Sequence, residues 1–131
     1  MDDLEYLEEC VAKWQDLSAE KLTRQQQAVV DVVTSIGLIE GDGLESFWSQ
    51  CGDSMDRIIE SFRMAGASEI AGWLEETSFC RDIIARTSPG ADDWACSPEE
   101  KKKLTKVLTR LLAKGADARK GLLKLLPQRK C

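Results

Sequence analysis

Apolar residues recur at helical spacing from the first turn of the chain. Leu4, Leu7, Val11 and Trp14 share one face, and Asp2, Glu5, Glu8, Glu9 and Asp16 lie opposite; this period predicts an amphipathic helix. Thr23 followed by Gln26 reads as a capping box before a second helix. Its Val29, Val32, Val33 and Ile36 again keep the 3.6-residue period, against the β preference of valine. Asp53 is placed to cap a third helix carrying Met55, Ile58, Ile59 and Phe62, which Gly66 terminates. Ser68 starts the next, with Ile70, Trp73, Leu74 and Thr77 along one stripe. Phe79 and Ile83 fall on another side, so a break near Ser78 or burial on two faces is expected.

Residues 88–98, SPGADDWACSP, form the clearest loop. Ser97 as cap, Pro98 in the first turn, then Glu99 and Glu100 start a further helix. Leu104, Val107, Leu108, Leu111 and Leu112 line one side of it, with Gly115 as its expected end. A last short helix with Leu122, Leu123, Leu125 and Leu126 runs to Pro127. No strand pattern and no internal repeat emerges. The prediction is an all-α fold: one domain over residues 1–131, an orthogonal bundle of six or seven helices.

Composition adds limits. The 131 residues are 43% hydrophobic and 31% charged, as in a globular chain long enough to bury a core. No run of apolar residues reaches the length of a membrane span. The acidic start MDDLEYLEEC is unlike a secretion signal, so a cytoplasmic setting is expected. Five widely spaced cysteines (Cys10, Cys51, Cys80, Cys96, Cys131) form no CxxC pair, and Cys131 is not placed for prenylation. Histidine is absent, which removes the commonest general base and transition-metal ligand. No cofactor, metal or catalytic residue is expected, and the chain reads as non-enzymatic.

Charge divides the chain. Residues 1–100 carry 22 acidic and 7 basic side chains, a net of −15; residues 101–131 carry 1 acidic and 11 basic, a net of +10. The acidic part offers two helical lines of carboxylates, Asp2, Glu5, Glu9 and Asp16 on one and Asp53, Asp56 and Glu60 on the other. Such a line spaces charges about 6 Å apart along a face, against duplex DNA with about one charge per 1.7 Å of axis. A solvated helix face has the same pattern. The basic part, residues 98–131, places Lys102, Lys103, Lys106, Arg110 and Lys114 around one helix. That is an electrostatic footprint of nucleic-acid or anionic-surface binding, although no aromatic residue follows Trp94 to stack on bases. The same cations can neutralise the acidic half, within one chain or across a homodimer.

The stretch Glu40–Asp53, EGDGLESFWSQCGD, stands apart. Counted from Asp42, Leu44 and Phe47 occupy positions where a calcium loop needs an oxygen ligand and a glycine, and its carboxylates would repel a phosphate. Gly41 and Gly43 suit a turn through positive φ, with Phe47 and Trp48 as a packed anchor. Trp14 and Trp73 read as core, and Trp94 as a loop residue that pins the loop or meets a partner.

The pattern Gly-x-Gly-Leu-Glu-x-Phe-Trp at 41–48, followed by Gly52 and MAGASEIAGWLEE at 64–76, resembles a bacterial helical domain family that includes a DNA mimic protein. The resemblance covers about residues 22–87. Gly41-Asp42-Gly43 stands where the family favours Asn-Gly-Gly, and the basic segment after Pro98 departs from an acidic mimic's tail. The resemblance implies a helical core and a protein-binding module. Its acidic surface would meet a basic partner, such as a DNA-binding protein that it inhibits.

Overall fold

The computed structural model describes residues 2–90 and 94–127; Cys131 and loop residues 91–93 lie outside them. Two capping boxes fix the longest elements. At Thr23 the hydroxyl accepts from the Gln26 backbone N–H while the Gln26 side chain accepts from the Thr23 backbone N–H, opening α2 (Arg24–Cys51). Ser97 and Glu100 exchange the same two bonds and open α6 (Pro98–Gly121). Each box satisfies two helix-end donors that would otherwise depend on water. Asp2 caps α1 (Asp3–Gln15), accepting from the Glu5 backbone N–H at 2.8 Å. A 3-10 turn, Gly52–Ser54, leads into α3 (Met55–Met64), so Asp53 does not cap it.

Four helices of ten residues or more, α1, α2, α3 and α6, make the bundle. This corrects the expected orthogonal array of six or seven. Two short pieces, α4 (Ser68–Glu76) and α5 (Cys80–Arg86), bridge α3 to the loop before α6. The last expected helix is only a 3-10 turn, and Gly41 and Gly115, expected at a corner and a helix end, lie inside helices. Gly41 is helical, and the expected turn through positive φ falls on Gly43 alone, at φ 87° and ψ 176°, a kink that divides α2 into two helical segments. Gly115 is buried within α6, which runs on to Gly121 and ends in a 3-10 turn, Leu122–Leu125. A Cβ at Gly121 would overlap the Ala65 carbonyl oxygen; glycine there lets the end of α6 close on the end of α3.

α2 is the axis: α1, α3 and α6 each pack on it, and α4 packs on α3 and α6. Their apolar stripes meet in one cluster running from Leu7 and Trp14 through Val29, Val32, Phe47, Trp48 and Phe62 to Leu104, Leu111 and Leu122. Phe47, Met55, Phe62 and Leu44 are essentially inaccessible, each contributing about 1.5–3 kcal/mol by leaving water. Trp14 and Trp48 are core, and Trp73 packs half-buried against it, as their spacing predicts. Among the described residues, no helix is long and apolar enough to cross a membrane.

Candidate functional site

All seven carboxylates singled out in the sequence are exposed: Asp2, Glu5, Glu9 and Asp16 about α1, and Asp53, Asp56 and Glu60 about α3. At about 100° per residue, Glu5, Glu9 and Asp16 fall within about 40° of one line. That line lies opposite the buried Leu7, Cys10, Val11 and Trp14. The second set is partly answered within the chain. Asp56 lies 3.4 Å from Arg81 and Glu60 3.3 Å from Arg63, which also pairs with Glu75. Among the described residues, Glu5, Glu9 and Asp16 make no ion pair. The two lines sit on helices that each pack against α2.

The basic helix does not cover them. Lys102, Lys103, Lys106, Arg110 and Lys114 are all exposed on α6. Among the described residues, Arg119 to Glu40, at 3.3 Å, is the one ion pair joining residues 101–127 to the acidic part. Lys103, Lys106 and Arg110 line a groove of about 320 Å³ with Glu76, Phe79 and Val107. The Lys103 ammonium lies 5.7 Å from the Phe79 ring centroid, within cation–π range. The sequence placed no aromatic residue near this helix; α5 packing brings Phe79 there from far along the chain.

The two unusual sequence stretches converge on a larger cleft of about 580 Å³. Glu45, Ser46, Ser49 and Gln50 from the end of α2 face Trp94, Cys96, Lys101 and Thr105. The loop is held by Arg86, which donates to the Ala95 carbonyl at 2.9 Å and pairs with Glu100, and by Thr87, whose hydroxyl accepts from the Ala95 N–H. Trp94 packs half-buried against the core, so it pins the loop. Burial, then the Glu100 and Glu45 carboxylates, pushes the Cys96 thiol pKa up. Burial also pushes Cys80 up, to about 12. Both stay thiols at neutral pH, whereas the thiolate is the nucleophile and metal ligand. Cys10, Cys51, Cys80 and Cys96 form no disulfide. Among the described residues, no three Cys, Asp or Glu side chains gather to hold a metal ion.

One polar cluster has no local signature along the chain. Asp31, 5% exposed in the valine-rich stretch of α2, accepts both Arg57 Nε (3.0 Å) and Nη2 (2.9 Å), the Ser61 hydroxyl (2.7 Å) and the Gln27 amide (2.9 Å). Hydrogen bonding to Asp31 raises the Arg57 pKa. With its acceptor sites occupied, the Asp31 carboxylate ties α2 to α3 and has little capacity left for a ligand.

No family model, curated protein or solved structure matches the chain.

Proposed function

We propose that this chain is a non-enzymatic, cytoplasmic protein-binding module that presents the carboxylates of α1 to a basic surface. A DNA-binding protein, which it would inhibit by occupying the DNA site, is the partner this reading favours. The observation that carries the proposal is the outward line of Glu5, Glu9 and Asp16, exposed and without an ion-pair partner among the described residues. Asp2 extends that line at the helix start. Asp53, Asp56 and Glu60 form a weaker second set, since Arg63 and Arg81 already answer part of it.

Exposed ion pairs contribute about 1 kcal/mol or less each, so several must act together with a small apolar centre. Leu4, 53% exposed on the apolar stripe of α1, and Leu17, 41% exposed just past Asp16, are the exposed apolar residues at its two ends. The test is competition. A basic protein retained on the immobilised chain at low salt is expected to elute when duplex DNA is added, because both ligands occupy one site. If the chain instead shifts duplex DNA itself, and the shift fails when Lys102, Lys103, Lys106, Arg110 and Lys114 are neutralised, the partner is nucleic acid and the proposal is wrong.

A further inference from the structure

Three cations on α6 repeat, in reverse, the spacing of three carboxylates on α1. Glu5, Glu9 and Asp16 stand four and then seven residues apart; so do Lys114, Arg110 and Lys103. At about 1.5 Å of rise per residue each line is roughly 16 Å long. At about 100° per residue, each set stays within about 40° of a common line. All six residues are exposed, and none of the six forms an ion pair among the described residues. The α6 line borders the Phe79 groove, and Lys114 borders a second hollow of about 270 Å³ beside residues 66–70. α4 packs along one side of this basic face, where its Glu69 and Glu76 border the two hollows, and the other side is open to solvent.

We infer that a second copy of this chain docks its α1 antiparallel on this face, pairing Glu5 with Lys114, Glu9 with Arg110 and Asp16 with Lys103. The inference rests on the reading of the α1 line as a binding surface and names one occupant for it. The two lines cannot pair within one molecule, because Glu5, Glu9 and Asp16 face away from the core that α1 shares with α6. Between copies the contact is reciprocal if a two-fold axis relates them, since each molecule carries both lines. The register also sets Asp2 against Asp117, a repulsive pair at one end. Lys13 and Lys106 both fall about 60° off their lines. The association is therefore weak and salt-sensitive, because exposed charges are screened within about 8–10 Å at ordinary ionic strength.

Sedimentation velocity over a concentration series tests this. The wild-type chain is expected to dimerise with rising concentration at low salt and to be monomeric at high salt. The E5K/E9K/D16K and K103E/R110E/K114E variants are each expected to be monomeric, with wild-type circular dichroism because all six sites are exposed. An equimolar mixture of the two is expected to associate again, since each now carries the charge the other lacks. Asp117→Asn is expected to tighten the wild-type dimer severalfold, and an unchanged constant overturns the register. A wild-type chain monomeric at every concentration in low salt overturns the inference, as do variants that still self-associate or a mixture that stays monomeric. A monomeric wild type that still retains a basic protein through Glu5, Glu9 and Asp16 overturns this contact alone and leaves the proposed function standing. Intact self-association without such retention overturns the basic-partner reading instead.

Discussion

Trp48 and Thr77, twenty-nine residues apart, are joined by a buried hydrogen bond: the indole Nε1–H donates to the Thr77 hydroxyl at 2.9 Å. Thr77 in turn donates to the Leu74 carbonyl at 2.8 Å. Both side chains are essentially inaccessible, and Arg81 lies 5.4 Å over the indole ring. This bond fixes the aromatic anchor of α2 against the end of α4. Thr77→Val keeps the shape but strands a buried N–H, which costs about 1–3 kcal/mol. Thr77→Ser keeps the hydroxyl and is expected to lose less. Urea unfolding of the two variants measures the difference; equal midpoints would remove the bond from the account.

Gly41 and Gly43 make opposite predictions although they are two residues apart. Gly43 adopts φ 87° and ψ 176°, a region nearly closed to side chains, and Gly43→Ala is expected to cost about 1–3 kcal/mol. Gly41 is helical and exposed, with open space where a Cβ would stand. Gly41→Ala is expected to stabilise by about 0.5–1 kcal/mol. Thermal unfolding of both variants checks the sign of each.

The Asp31–Arg57 pair is asymmetric, with side chains 5% and 42% exposed. Arg57→Met leaves a buried carboxylate held only by Gln27 and Ser61, and is expected to cost about 3–5 kcal/mol. Asp31→Asn leaves a guanidinium that water can reach, and is expected to cost less, about 1–3 kcal/mol. Equilibrium unfolding that ranks the two the other way round would contradict this reading of the cluster.

Glu100 titrates below its ordinary value of 4.5, chiefly because it accepts the Ser97 backbone N–H, with Arg86 adding to the effect. A depressed carboxylate pKa stabilises the fold above the unfolded value and loses that contribution as pH falls through the folded one. Glu100→Gln keeps a capping side chain without the charge. The melting temperatures of wild type and E100Q are therefore expected to differ by a constant gap at neutral pH. The gap should close as the pH drops below 4.5. A gap that widens on acidification would show that the charge plays no such part.

Local signals carried far in this chain. Thr23 with Gln26, and Ser97 with Pro98 and Glu100, mark both long helices because capping depends on residues three apart. The apolar period placed Leu7, Val29, Phe62 and Leu104 in the core for the same reason. Glycine misled because its role depends on distant contacts. Gly115 sits inside a helix where Ile36 and Glu40 of α2 come close, and the pattern alone reads it as a stop. The role of Asp31 has no local signal, since its partners Arg57 and Ser61 lie a helix away. Phe79 on the basic face and the meeting of residues 45–50 with Trp94 are long-range packing results that no local spacing announces. The exposure of Glu5, Glu9 and Asp16 was legible, because helix phase alone sets it.

The most direct test of the central claim compares two neutralised proteins on one resin. Wild type, E5Q/E9Q/D16N and K103Q/R110Q/K114Q are immobilised, nuclease-treated lysate is applied at low salt, and bound protein is eluted with a salt gradient. A basic DNA-binding protein is expected on wild type and on the lysine-arginine variant. Its affinity for the carboxylate variant should fall by up to roughly a hundredfold, for three pairs at about 1 kcal/mol each. Undiminished retention by E5Q/E9Q/D16N, or loss of retention only in K103Q/R110Q/K114Q, would contradict it.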